Sequence, residues 1–533
     1  MTILDDQHGL NRRSFVLTLS AAAGALALES PLSAALVNPV PPQPTHLLES
    51  VMPARPEQEP LQWKSLAQSF DDFIMDSRNG VLRQRKDGSR FFTSSLEQTE
   101  DGGLTTLAPI LMGKILRHDD VSALLPMLAA YFNEEFGIFL DGIGTNEAGY
   151  VLCEYWYLMN INALAGAIVR TTLLEDAVSK QRLRRSFECF VNLTRQVHYD
   201  FDDQGFNFSK HASWTNQKIY RQPDAIGGYG YLMLFAYELY GEESFRNEAL
   251  TALHRYQSFP SNPWYEIPSG AMAALAAARL SVTEPSIDIQ RILGFVLDSS
   301  AGLMRAGRWG GKEVNGLMAG FVSEPPDQAY SMETMVVLPY LLPILRYRPE
   351  FANDIGRYAL NILANLRWFY SAFLPPEQQS RPDLNPAIPY ERLSKSEKGH
   401  SPYAMGDFAG HRSVYGGAYA LWLGELAKPT SDPFLLQLDV SRTDFLCGKS
   451  HPTVLYYNPW DEVKSVVMDT GVRKVDLYDL TTHRFADRGV LGKVKISLPP
   501  RSSRVLVAVP AGGKRSTQQG VLSVDGIPVD YKV

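Results

Sequence analysis

The chain has 533 residues, 45% of them hydrophobic, with 58 acidic against 51 basic side chains and a formal charge of −7. Apolar content at that level supports a large folded core and excludes a disordered chain, and the acidic balance argues against nucleic acid as a partner, which needs a basic face. The three cysteines, Cys153, Cys189 and Cys447, have no CxxC spacing and predict neither a disulfide framework nor a zinc site.

At the amino terminus Arg12 and Arg13 precede an apolar run from Phe15 to Leu28, with small residues following at Ser33 and Ala35. This resembles a bacterial twin-arginine signal, with residues 1–35 as the cleaved segment. The resemblance implies passage through the twin-arginine export machinery to the periplasm or beyond. The run is short for a bilayer span, and no later stretch is long and uncharged, so no integral membrane segment is expected after processing. Residues 36–60, which begin with "NPVPPQP" from Asn38, read as an extended linker.

From residue 61 to 430 apolar residues recur every three or four positions, the pattern of helices. Predicted helices lie at 61–77, 104–118, 121–136, 147–174, 181–198, 227–240, 243–258, 268–280, 286–300, 330–347, 352–373 and 413–427. The stretch 147–174 is apolar nearly all round, which predicts a helix buried on most sides, and Cys153 and Cys189 are placed on buried helices. Short links such as Gly241–Ser244 alternate with long ones at 134–146, 199–226, 301–329 and 374–412, rich in Gly, Pro, Trp, Asp and His. Long connections in a compact domain are commonly functional. Twelve helices so linked predict a mainly α fold, an (α/α)6 toroid with its long links gathered at one face.

Residues 431–533 change texture. Short β-branched runs such as "HPTVLYYNPW", "KVDLYDLTTHRF", "KVKISLPP" and "SSRVLVAVPAG" are split by Gly, Pro, Asn and Asp. They predict a small antiparallel β-sandwich, and the alternation in "KVKISL" fits one buried face.

The stretches "EIPSGAMAALAAARL" and "GHRSVYGGAYALWL", with the tail segments "LYYNPW" and "LPPRSSRVLVAVP", resemble the bacterial α/α-toroid carbohydrate-active enzymes, glycoside hydrolases and polysaccharide lyases. The resemblance is architectural, and it implies a carbohydrate substrate. No catalytic motif matches one of these families residue by residue, so none of their active-site residues is carried over.

Glycoside hydrolysis needs an acid for the leaving oxygen and a carboxylate as base or nucleophile. Loop carboxylates ahead of helical runs are the candidates: Asp141 and Glu147 in "FLDGIGTNEAGY", Asp224 in "RQPDAIGG", Glu324 and Asp327 in "SEPPDQAY", and Asp407 in "AMGDFAGH". An acid ahead of a helix also serves as a plain N-cap, and Glu147 and Asp327 fit that equally. A lyase would instead use Tyr or His to abstract a proton and a cation to neutralise a uronate. For that chemistry the loop "KHASWTNQKIYRQPD" offers His211, Trp214, Asn216, Tyr220 and Arg221, and the stretch from His400 offers Tyr403, His411, Arg412 and Tyr415. Trp214, Trp264 and Trp309 are candidate sugar platforms. Arg412 beside carboxylates fits an acidic sugar, because guanidinium grips carboxylate with two bonds. Ser413 is read as the start of the last helix.

No G-x-S-x-G, P-loop or H-E-x-x-H motif is present. No metal or other cofactor is expected, since no ligand spacing demands one. The reading is an exported glycoside hydrolase, with a polysaccharide lyase and a non-catalytic glycan-binding protein as alternatives.

Overall fold

The computed structural model describes residues 43–532 except 147, 216–219, 323–326, 384–386 and 407–410. The twin-arginine stretch, the proposed cleavage site, Glu147, Asn216, Glu324 and Asp407 therefore lie outside the described residues.

Among the described residues six helices form a closed ring: α2 (Gly103–Leu116), α4 (Tyr155–Thr172), α6 (Ala225–Tyr240), α8 (Ile267–Leu280), α10 (Ser331–Leu341) and α14 (Tyr419–Leu426), which packs back onto α2. Six more surround them: α1 (Trp63–Met75) on α14, α3 (Leu125–Ala129) on α2, α5 (Ala177–Gln196) on α4 and α6, α7 (Glu243–Gln257) on α6, α9 (Ile289–Val296) on α8, and α12 (Ala352–Asn365) on α10. Two single-turn pieces, α11 (Ile344–Tyr347) and α13 (Val414–Gly417), complete the order. This is an (α/α)6 toroid.

The two rings differ as burial requires. Every residue of α2 and α10 is buried. Outer α5 buries only a stripe, Leu183, Ser186, Phe187, Phe190, Leu193 and Thr194, at the spacing of one helix face. Its N-cap Asp176 accepts a hydrogen bond from the Ser179 N–H at 2.7 Å. Links from an inner helix to the next outer one are short, as at 173–176 and 241–242, and links back to the ring are long, as at 197–224 and 297–330. The long links therefore share the face where the inner helices begin.

Several helices are shorter than the periodicity predicts. The stretch 121–136 holds a helix only at Leu125–Ala129, then a hairpin, Phe132–Asn133 with Ile138–Phe139. The stretch 147–174 begins with a strand, Leu152–Glu154, so Cys153 sits on a strand and not on a helix. That strand pairs with Gly205–Asn207, which pairs with Ala212–Trp214. A second small sheet, Gln328–Tyr330 with Arg392–Ser394 and Tyr403–Met405, leads into α10.

After α14 comes a six-stranded antiparallel sheet in the order Ala427–Lys428, Gln437–Asp439, Thr453–Tyr457, Ser503–Pro510, Val475–Asp479, Arg484–Val490. Alternate residues divide its faces. Val454, Tyr456, Leu477 and Leu506 meet Val466, Met468, Ile496 and Leu498 of a two-stranded ribbon, Lys464–Asp469 with Lys493–Leu498. Leu455, Tyr457, Val505 and Val507 join the core of the toroid, where α12 packs on the sheet. The pair is a β-sandwich with one outer face against the helices. A last three-stranded sheet runs Arg515–Gln518, Val521–Val524, Ile527–Asp530.

Candidate functional site at the mouth of the toroid

Hydrogen bonds from backbone N–H groups tie the starts of the inner helices to the segments around them. The Trp156 N–H in α4 donates to the Gln222 side-chain oxygen ahead of α6 at 2.8 Å. The Glu266 N–H ahead of α8 donates to Asp224 at 3.3 Å. The Ser331 N–H of α10 donates to the Glu391 carbonyl at 2.9 Å, and the Val414 N–H to the Ser94 carbonyl ahead of α2 at 2.8 Å. Helix N-termini carry partial positive charge, and six of them facing one space favour carboxylates there.

Four carboxylates that the sequence reading passed over occupy this mouth. Glu154 closes the strand before α4, Glu266 stands immediately before α8, Glu333 is in the first turn of α10, and Glu391 begins the turn into the middle strand of the second sheet. Glu266 and Glu333 are buried, while Glu154 and Glu391 are partly exposed. Two tyrosines register their fields. The Tyr157 phenol is held far above its ordinary ionisation by burial first, then by the charges of Asp141, Glu266 and Glu154. Tyr415 is shifted the same way by burial, then by Glu391, Glu333 and Tyr157, and its hydroxyl donates to Glu391 at 2.6 Å. Tyr157 and Tyr415 thus mark one centre reached by carboxylates from four sides. Half-buried Tyr220 and Phe321, with ring centroids 6.0 Å apart, stand beside Tyr265 and supply an aromatic wall.

Of the residues singled out from sequence, Asp141 and Tyr415 belong to this centre. The Asp141 carboxylate accepts the Thr105 N–H at 2.7 Å and its carbonyl accepts the Leu104 N–H, which caps α2; burial raises its pKa. Asp224 is wholly buried between α6 and α8, and burial pushes its ionisation up to about 7. Asp327 leads into the strand Gln328–Tyr330, its carbonyl accepting the Lys395 N–H at 2.6 Å. The half-buried His411 lends its carbonyl to the Glu391 N–H at 3.5 Å.

Other expected residues are placed elsewhere. Arg412 is fully buried, its guanidinium 3.8 Å over the Tyr390 ring and donating to the Ile388 and Arg381 carbonyls, so it has no fork left for a uronate. Trp264 and Trp309 are buried in the core and offer no face to a sugar. Trp214 ends the third strand of the first small sheet and is half-buried. Arg221 is exposed and paired with Asp202. His211 is exposed at a hairpin tip with φ +52° and lines a groove of about 350 Å3 with Phe136 and α5. The sequence did carry a signal for the missed acids: Glu154 and Glu266 each stand one residue ahead of a helix that is apolar all round.

Among the described residues no group of three or more His, Cys, Asp or Glu side chains is arranged to hold a metal ion, and no helix is long and apolar enough to cross a membrane.

No family model matches the chain, and no curated protein matches it in sequence. Among solved structures it is similar to a sugar epimerase from a ruminal bacterium at 10% identity, over 68% of this chain and 98% of that one, with a TM-score of 0.46. It is also similar to a family 76 glycoside hydrolase from a bovine Bacteroides thetaiotaomicron strain at 10% identity, over 69% and 77% of the two chains, with a TM-score of 0.44. A third is an unsaturated glucuronyl hydrolase specific for heparin, at 10% identity over 68% and 95%, with a TM-score of 0.39. Likeness at this level carries no argument about chemistry.

Proposed function

We propose that the chain is an exported carbohydrate-active enzyme that hydrolyses glycosidic bonds of an oligo- or polysaccharide. The observation that carries this reading is the convergence of Glu154, Glu266, Glu333 and Glu391 around Tyr157 and Tyr415. Hydrolysis of a glycoside needs two carboxyls in different protonation states. Burial of some carboxyls and partial exposure of others is how one site holds both. The aromatic wall of Tyr220 and Phe321 fits the C–H faces of a sugar.

A lyase finds less support at the same place. The phenols of Tyr157 and Tyr415 stand among negative charges, which keep their protons on and make them poor bases. The guanidinium of Arg412, the intended neutraliser, is committed to backbone carbonyls and Tyr390.

The test is mass spectrometry of products after incubation with neutral and uronate-containing oligosaccharides. Fragments that together have gained one water support hydrolysis. Fragments with a new double bond and no added water replace it with elimination. Binding without cleavage of any substrate removes the enzyme reading. Export is tested separately: an Arg12→Lys, Arg13→Lys variant should be retained in the cytoplasm, and its normal release would end the twin-arginine proposal.

A further inference from the structure

Glu154 is held by side-chain amides. Its Oε1 accepts a hydrogen bond from the Gln204 side-chain amide at 2.9 Å, and its Oε2 accepts one from the Gln222 amide, also at 2.9 Å. The orientation of Gln222 is not arbitrary. Its Oε1 accepts the Trp156 N–H, so its NH2 must be the end that faces Glu154. Its own N–H donates to the Asp203 carbonyl at 3.1 Å, and Gln222 is wholly buried. The Gln204 backbone is anchored on both sides: its N–H donates to the Trp214 carbonyl and its carbonyl accepts the Tyr155 N–H. Two neutral amides, with the Trp156 side chain as a third donor, therefore hold one carboxylate that remains partly open to the mouth. The titratable groups that its charge reaches are Cys153, Tyr157 and Tyr265, none of them a cation. The amides, with the Trp156 side chain after them and no cation, oppose the burial that raises its pKa.

We infer that Glu154 is the proton-transferring carboxyl of this site, and that Gln204 and Gln222 are positioning residues that fix its rotamer and set the pH at which it ionises. This rests on the hydrolase reading. In the acid form Glu154 gives its proton to the glycosidic oxygen. The bond from that oxygen to the anomeric carbon breaks, its electron pair staying on the oxygen, and the leaving sugar departs as an alcohol. Water adds to the anomeric carbon and passes its surplus proton to a second mouth carboxylate. Solvent then takes that proton and returns one to Glu154, so the net change is one glycoside and one water to two hydroxyl products.

A donor lost from a carboxylate disfavours its charged form. In Gln222→Ala the limb of the kcat/KM–pH profile that belongs to Glu154 should move to higher pH by about one unit, the scale of one hydrogen bond to a charged group. Gln222→Glu keeps the shape and the acceptor for the Trp156 N–H but adds a carboxyl, and should move the limb further the same way. Glu154→Gln should lower kcat by about 100-fold or more. Full activity of Glu154→Gln overturns the assignment. Lower kcat in both Gln222 variants with an unmoved limb reduces the amides to structural groups and overturns the positioning role.

If the wild type cleaves nothing, the hydrolase reading falls and takes the proton-transfer role with it. The clamp is still read by 13C titration of glutamate carboxyls, with the Glu154 signal identified by its loss in Glu154→Gln. A midpoint raised in Gln222→Ala sustains the clamp, and an unmoved midpoint overturns it.

Discussion

At the scale of single residues, burial assigns tasks that residue type leaves open. Asp224 and Glu154 are both acids at the start of inner helices, yet Asp224 has no exposed surface and Glu154 faces the mouth. Asp224 ionises at about 7 in the fold against an ordinary 3.8. The folded state therefore holds a proton that the unfolded state releases between those values, and stability falls as pH rises through that window. The whole effect is about 4 kcal/mol. Asp224→Asn removes the slope, so its denaturation midpoint relative to wild type should rise between pH 4.5 and pH 8; a constant difference would contradict this. Arg412 gives the opposite lesson. Arg412→Ala strips a buried guanidinium from two carbonyls and an aromatic face, at a cost of about 2–4 kcal/mol. Cleavage of neutral and uronate substrates should fall together in that variant, and a loss confined to uronates would restore the carboxylate-gripping role.

At the scale of elements, ring closure depends on how nearly two helices can approach. A Cβ on Gly113 in α2 would lie 2.5 Å from Leu421 Cβ in α14, where the last inner helix meets the first. Gly113→Ala should destabilise by about 1–3 kcal/mol through overpacking. Gly294 in outer α9 has nothing within 4 Å of the same position, and Gly294→Ala should stabilise by about 0.5–1 kcal/mol. Urea midpoints moving in opposite directions would confirm the contrast between the rings. Helix periodicity made these elements legible in the sequence, and alternating short and long links made the ring legible. The two small mouth sheets were not, because Leu152–Glu154 and Gln328–Tyr330 are three residues each and run straight into helices whose apolar pattern masks them. The mouth carboxylates were hidden for a further reason. Glu154, Glu266, Glu333 and Glu391 are separated by 58 to 112 positions, and only closure of the ring makes neighbours of them. Asp141 lies in a long connection, whereas Glu154 and Glu266 are the last residues before inner helices, Glu333 lies in a first turn, and Glu391 stands just before a strand.

At the scale of the whole molecule, toroid and sandwich share one core, and their joint is ionic as well as apolar. Arg346 of α11 pairs with Asp444 from the segment between two sandwich strands, both of them buried, and the Tyr347 hydroxyl donates to the same carboxylate at 2.7 Å. On the neighbouring surface Leu455, Tyr457, Val505 and Val507 close over α12. A sheet whose outer face is covered by helices would expose that apolar face without them, and the helices it covers would meet water without the sheet. The two parts should therefore unfold as one. Removing half of a buried ion pair leaves the other charge without compensation, at a cost of about 3–5 kcal/mol. Asp444→Asn should accordingly lower the helical signal at 222 nm and the tryptophan fluorescence transition by the same amount, at a single midpoint, although Asp444 belongs to neither the mouth nor the ring. Separate midpoints, with the helices holding their wild-type stability, would show two domains that merely touch.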